Sequence, residues 1–160
     1  MAYYIRAFCT SNDLPPLNAV VDYIQNQGVT VNIHEDFKDG DPASKNWEEV
    51  GLVYKKDKLP FLVEVNRDDG SNNCLYREEI NEFKMLLQEI NDSPEKKKIL
   101  EHLSNSKYII ASQIPTADFD DDGYNANGFF LEYFVKNCGG MIQADGEGFY
   151  EGHNLIVELE

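Results

Sequence analysis

Hydrophobic and polar residues alternate along the chain at two spacings, which predict helices and strands in succession. From 17 to 28 the apolar residues lie three or four positions apart, as on one face of an α-helix. From 29 to 36, Val29, Val31 and Ile33 alternate with polar residues, which predicts a half-buried β-strand.

Three further helices are predicted downstream. The segment 75–90 carries one apolar stripe. Ser93 followed by proline predicts the start of a second helix, about 94–104, because serine accepts hydrogen bonds from free N–H groups in the first turn. A third helix, rich in phenylalanine, ends at Gly139.

The remaining apolar segments predict strands. Aromatic and β-branched residues favour strands at 3–11 and 107–114. The segment 50–65 predicts one or two strands with a turn near 56–58, and 149–160 predicts one strand or a tight hairpin.

The order of these elements suggests a duplication within one domain, residues 1–160. Two βαββ units, about 3–65 and 107–159, are joined by a helical connector at about 75–105. The fold class is α+β and ferredoxin-like, with an antiparallel or mixed sheet and helices on one face. The matching segments are 3–7 with 108–112, 26–28 with 137–139, and 61–65 with 155–159.

The net charge of the chain limits the classes of molecule that it is expected to bind. The chain has 29 acidic and 14 basic side chains, a formal net charge of −15. Such a surface repels nucleic acid and anionic lipid, so we expect no nucleic-acid partner and no membrane partner. It favours a protein partner with a basic surface. An open sheet also leaves an edge or a face that a homodimer would cover.

The cysteines and the N-terminal residues bear on location. The three cysteines are widely spaced and include no Cys-x-x-Cys pair, so neither a zinc site nor a disulfide framework is predicted. The first residues lack the basic and apolar segments of a signal peptide. We therefore expect a cytoplasmic protein with reduced cysteines.

One acidic stretch resembles the beginning of a calcium loop. Asp118, Asp120, Asp122 and Gly123 have the spacing of the first ligands and the glycine of an EF-hand loop. The position of the bidentate glutamate is Phe129, so only a weak calcium site is predicted. The alternative is an acidic helix start, because carboxylates favour the positive end of a helix dipole.

Two features are candidates for binding a partner. The first is the acidic loop itself, with Asp118, Asp120, Asp121 and Asp122 as binding residues. The second is Trp47, which lies in a polar segment and is either a lid over the core or an exposed interface anchor.

No motif in the sequence indicates catalysis. No phosphate-binding glycine loop and no metal-binding histidine pair is present. A Cys9–His34 pair on neighbouring strands, or clustered tyrosines, could still serve a small enzyme with a site in a sheet cleft. No catalytic residue is assigned.

The last quarter of the chain resembles a known family. The turn Asp145-Gly146-Glu147-Gly148 is followed by Phe149 and Tyr150, after a helix. This order of a helix, a glycine-containing turn and aromatic residues is similar to that of the bacterial ribonuclease E inhibitor B family. The members of that family are small acidic α+β proteins with an Asp-Gly-Trp-Gly turn. Glu147 stands where that family has tryptophan. The resemblance implies a non-catalytic protein that binds a larger partner.

The sequence therefore predicts a non-enzymatic acidic binding or regulatory protein that acts on a basic protein partner, of the inhibitor or immunity type. The alternatives are a small enzyme with a cleft site on a ferredoxin-like sheet and a weak calcium-binding module that uses the 118–123 loop. No cofactor other than calcium is predicted.

Overall fold

A computed structural model of the chain describes residues 2–37, 40–71 and 74–159. The described residues form four α-helices and one sheet of eight strands, so the fold class is α+β. The strands are β1 (Ala2–Cys9), β2 (Asn32–Ile33), β3 (Glu49–Val53), β4 (Phe61–Arg67), β5 (Tyr108–Pro115), β6 (Gly140–Ala144), β7 (Gly148–Glu151) and β8 (Asn154–Glu158). The helices are α1 (Leu17–Asn26), α2 (Leu75–Gln88), α3 (Pro94–Asn105) and α4 (Asp121–Asn137), with a short 3-10 turn at Thr116–Asp118.

The strand order is β2-β3-β4-β5-β1-β6-β7-β8, and every neighbouring pair is antiparallel. At the centre, β5 lies between β1 and β4, and β1 lies between β5 and β6. Each half of the chain therefore places its first strand between two strands of the other half.

The two halves have the same order of elements, one strand, one helix and three strands. Their last three strands differ in their order relative to the centre of the sheet, because β2, β3 and β4 approach the centre whereas β6, β7 and β8 lead away from it. In the first half β2 is at the edge and β4 is inside, whereas in the second half β6 is inside and β8 is at the edge. The matched segments 61–65 and 155–159 thus occupy an inner strand and an edge strand.

Helices cover both faces of the sheet, so the prediction of helices on one face is wrong. α1 packs against α4 on the face to which Ala7 and Cys9 point. α2 packs against α3 on the face to which Phe8 points. The reason is visible in β5, where five consecutive residues from Tyr108 are buried, because a strand with two apolar faces needs cover on both.

Local chemistry explains where several elements begin and end. The Ser93 hydroxyl accepts a hydrogen bond from the backbone N–H of Lys96 at 3.0 Å, as predicted for the start of α3. Pro60 directly precedes β4, where its missing N–H costs no ladder hydrogen bond. The predicted strand 29–36 is reduced to the two residues of β2, while Val31 packs into the core from irregular chain.

None of the four helices of the described residues is long and apolar enough to cross a membrane.

Candidate functional site

The acidic stretch that resembles a calcium loop forms the start of α4 in the structure. The side chain of Asp120 caps the helix, because its Oδ1 accepts hydrogen bonds from the backbone N–H groups of Asp122 at 3.1 Å and Gly123 at 3.2 Å. Asp121 and Asp122 lie in the first turn, where their charge is favourable to the helix dipole.

Two lysines from the turn between β3 and β4 neutralise this acidic helix start. Lys55 Nζ lies 2.7 Å from Asp120 Oδ2 and 2.8 Å from Asp122 Oδ2. Lys58 Nζ lies 3.0 Å from Asp118 Oδ1. The hydrogen bond from Lys55 lowers the pKa of Asp120 from its ordinary value of 3.8. Three of the four carboxylates of the stretch, those of Asp118, Asp120 and Asp122, are thus held by lysines of the same chain.

The glycine of the motif has a packing role. A Cβ at Gly123 would lie 2.6 Å from the ring of Phe119 and 2.7 Å from the ring of Tyr54, so only glycine fits under these rings. Within the part of the chain that the structure describes, no group of three or more His, Cys, Asp and Glu side chains could hold a metal ion. Calcium binding by this stretch stays a prediction.

Trp47 is part of the core. Its side chain is 0% exposed, and its indole Nε1 donates a hydrogen bond to the carbonyl oxygen of Pro15 at 2.9 Å. The structure therefore corrects the interpretation of Trp47 as an exposed anchor, since the ring is not available to a partner.

The proposed Cys9–His34 pair does not form. Cys9 is fully buried beneath α1 and α4, and burial raises the pKa of its thiol well above 9.0. His34 follows β2 at the edge of the sheet, and β3, β4 and β5 separate it from β1. Its Nδ1 accepts a hydrogen bond from the backbone N–H of Asp36 at 3.1 Å.

A row of polar side chains crosses the sheet on the face of α2 and α3. Arg6, at its centre on β1, is largely buried. Arg6 Nε donates to Glu79 Oε2 at 3.0 Å, and Arg6 Nη1 donates to Gln143 at 2.8 Å and to Asp145 at 2.7 Å. The guanidinium also lies 5.3 Å from the ring centre of Phe83. Its charge is satisfied by groups of the same chain.

The same row ends in two glutamates that lack such partners. Glu64 on β4 is the Cα partner of Ala111, which is in turn the partner of Arg6. Glu49 on β3 is the Cα partner of Glu64. Directly opposed residues of antiparallel strands share one face, so these two carboxylates lie side by side. Among the described residues, neither forms an ion pair with a Lys, Arg or His side chain.

The opposed charges perturb the titration of Glu64. Burial is the main cause that raises the pKa of Glu64 from its ordinary value of 4.5, and the negative charge of Glu49 is the second. The positive charge of Arg6 offsets part of this rise. Burial also raises the pKa of Glu79, even though Arg6 binds it directly. Like charges opposite each other in a sheet are destabilising, so the fold retains Glu49 and Glu64 at a cost.

These glutamates line a groove of about 580 Å³, which we call the open-face groove. It lies over β2, β3 and β4, at the end of the sheet away from β7 and β8. Gly51 is part of its lining, and Leu62 is 41% exposed in it. Asn66 Nδ2 is buried there without a hydrogen-bond partner in the described structure. The other polar residues in the lining are His34, Asp36 and Glu48.

A second groove, of about 560 Å³, lies on the opposite face beside α4, where α1 does not extend over β6 and β7. We call it the aromatic groove. Its apolar lining includes Tyr3, Ile5, Phe129, Ile142 and Tyr150. Glu147, from the predicted Asp-Gly-Glu-Gly turn, lies at its rim.

No protein-family model, no curated protein and no solved structure matches the chain. The resemblance to the ribonuclease E inhibitor B family therefore stays a prediction.

Sequence reasoning selected the acidic residues that are clustered in the chain, and it missed those that are clustered in the sheet. Glu49 and Glu64 lie fifteen positions apart, and only the pairing register of β3 and β4 brings them together. The available signal was a charged residue beside the apolar residues of each of two strands, because a charge at such a position is unfavourable without a partner.

Proposed function

We propose that the protein is a non-enzymatic binding or regulatory protein that holds a basic segment of a partner protein in the open-face groove. The observation that carries this proposal is the pair Glu49 and Glu64, opposed in the sheet without a cation of the described chain beside either carboxylate. A lysine or arginine of the partner would supply the missing positive charge.

The groove also has contacts for the rest of such a segment. Leu62 offers an exposed apolar surface to the aliphatic stem of a basic side chain. The net charge of −15 accelerates encounter with a basic surface.

The proposal also includes a ferredoxin-like sheet, a cytoplasmic location and a homodimer. The four central strands with α1 and α4 are the part that supports the ferredoxin-like interpretation, with β2–β3, α2–α3 and β7–β8 as additions. The three cysteines are free and buried, which suits a cytoplasmic protein. An exposed edge at β8, with Leu155 45% exposed, would support a homodimer.

Calorimetry with model peptides tests the proposal. We expect a short peptide of alternating arginine and alanine to bind, and the same peptide with glutamate in place of arginine not to bind. The double substitution Glu49→Gln and Glu64→Gln should weaken binding about tenfold, because the exposed carboxylate of Glu49 and the half-buried carboxylate of Glu64 both lose their charge.

The control removes the same charge elsewhere. Glu89→Gln with Glu101→Gln changes two exposed carboxylates at the end of α2 and on α3, and we expect less than a twofold effect. If both double variants weaken binding equally, the peptide responds to net charge alone and the groove is not the site. Absence of binding at low salt also contradicts the proposal, since attraction between exposed charges is strongest there.

A further inference from the structure

The aromatic groove has a different chemistry from the open-face groove, and nothing in the proposed function uses it. It is lined mainly by apolar and aromatic side chains, among which Tyr3, Phe129 and Tyr150 come from three different elements. Concave, mostly apolar grooves with a few fixed polar groups are typical of small-molecule sites.

The fixed polar group at its rim is Glu147. The hydroxyl of Tyr3 donates a hydrogen bond to Oε2 of Glu147, and that of Tyr150 donates to Oε1 at 2.5 Å. These hydrogen bonds lower the pKa of Glu147 from 4.5, so its carboxylate is ionised at neutral pH. Burial, and then the hydrogen bond to Glu147, raise the pKa of Tyr3, which keeps its phenol protonated as a donor.

The backbone holds this carboxylate in place. Glu147 N donates to Ala144 O at 3.1 Å, and Leu159 N donates to Glu147 O at 3.0 Å. The next residue, Gly148, has a φ of 136°, and a Cβ there would lie 2.0 Å from Val157 O. The turn is therefore closed tightly against β8, and the hydroxyls of Tyr3 and Tyr150 hold the carboxylate of Glu147 on this backbone.

Glu147 has no cation of its own within the described chain, since no described Lys, Arg or His forms an ion pair with it. The lysine in the lining, Lys136, is held by Glu132 at 2.6 Å and by Tyr23 at 3.4 Å. His153 lines the groove near Glu132, whose pKa it helps to lower. The rim at Glu147 thus combines an ionised carboxylate with two tyrosine rings.

We propose that the aromatic groove binds a small organic cation, an amine or a quaternary ammonium group carried on an apolar body. A cation gains from the charge of Glu147 and from the faces of the tyrosine rings, while its body packs on Phe129 and Ile142. An anion is repelled by Glu147, and a neutral ligand gains nothing from its charge. This inference is independent of the basic protein partner, because the two grooves lie on opposite faces.

The direct test is a nuclear magnetic resonance titration of the ¹⁵N-labelled protein with benzyltrimethylammonium. We expect saturable shifts at the backbone amides of Gly128, Glu147 and Gly152, with a dissociation constant near ~1 mM for a ligand of this size. Benzyl alcohol and phenylacetate carry the same ring without the positive charge, and we expect binding at least tenfold weaker for both.

Three variants distinguish a ligand site from a purely structural contact between β1 and β7. Glu147→Gln keeps an acceptor for a tyrosine but removes the charge, and we expect about tenfold weaker binding. Tyr150→Phe keeps the ring, and we expect binding within threefold of the original. Glu158→Gln removes an exposed charge from β8, and we expect no change.

Any of four results overturns the proposal: no saturable shifts with benzyltrimethylammonium, equal affinity for benzyl alcohol or phenylacetate, unchanged affinity in Glu147→Gln, or shifts confined to the open-face groove. Melting curves establish whether each variant is folded. If Glu147→Gln does not fold, Tyr150→Leu takes its place, because loss of the ring should itself weaken binding by at least threefold.

Discussion

Glu64 shows how a single residue can be unfavourable for stability and still shape a site. It shares one face of the sheet with Glu49 and lies two strands away from the cation of Arg6. Arg6 is already bound by Glu79, Gln143 and Asp145, so it only partly compensates the two opposed carboxylates. Such a conflict between stability and local chemistry is typical of functional positions.

At the residue scale, we predict that Glu64→Gln stabilises the protein by about 0.2–1 kcal/mol at pH 7, the usual size of a cross-strand pair contribution. The pKa of Glu64 is raised in the folded state, so the folded protein binds this proton more tightly than the unfolded chain. The associated stability is present below pH 4.5 and is lost as the pH rises through the raised pKa.

Urea unfolding of both proteins at pH 7 and at pH 4 measures this difference. The advantage of Glu64→Gln should shrink towards zero at the lower pH, where the wild-type carboxyl is protonated. Glu89→Gln, which changes an exposed side chain, serves as the control at both values. A variant less stable than the wild type at pH 7 would show that Glu64 has a favourable partner in the fold.

At the scale of elements, patterns with a local cause were predicted well. Ser93 marks the start of α3 through a bond within four residues, and α2 follows its apolar stripe. The hairpin of β7 and β8 turns at Gly152, as its sequence indicates. Elements that depend on distant partners were not predicted well. Val29 and Val31 have the alternation of a strand, but no neighbouring strand pairs with them.

The acidic start of α4 illustrates the same limit. Its residues are compatible with a calcium loop or a helix cap by spacing alone. The choice depends on Lys55 and Lys58, which lie 65 and 60 residues away from their partners Asp120 and Asp118. It also depends on the rings that require Gly123. No local pattern reports such contacts.

At this scale, we predict that Asp120→Ala lowers the free energy of unfolding by about 1 kcal/mol, within the usual range of about 0.5–2 kcal/mol for loss of a helix cap. Asp121→Ala removes an equal charge from the first turn without removing a cap, so its effect should be smaller. Thermal melts with millimolar calcium and with chelator complete the comparison. We expect no calcium effect, and a calcium-dependent rise that is lost in Asp120→Ala would support the calcium alternative.

On the scale of the whole molecule, each pair of helices covers only part of its face. The core beneath α1 and α4 reaches β3 and β4, whereas the core beneath α2 and α3 reaches β7 and β8. The uncovered areas lie at opposite ends of the sheet and on opposite faces. The two grooves can therefore be occupied at the same time without steric conflict.

The net charge gives a prediction for the molecule as a whole. The net charge of −15 on one small domain causes mutual repulsion that opposes the compact state. Dissolved salt screens this repulsion. We predict that the melting temperature rises by a few degrees between low and physiological concentrations of sodium chloride. The surface ion pairs oppose this trend weakly, because exposed pairs contribute little each. A falling melting temperature would mean that these pairs outweigh the net repulsion.

The interlocked order of the central strands has a consequence for the synthesis of the protein. β1 is made first, yet its neighbours β5 and β6 begin only at Tyr108 and Gly140. At a ribosomal rate of about 5–20 residues per second, β1 waits roughly 5 to 20 s for the first of them. During that time Phe8 and its apolar neighbours have no native strand beside them. The protein thus completes the centre of its sheet late in synthesis. A nascent chain stalled before β5 presents an unpaired strand to chaperones and proteases.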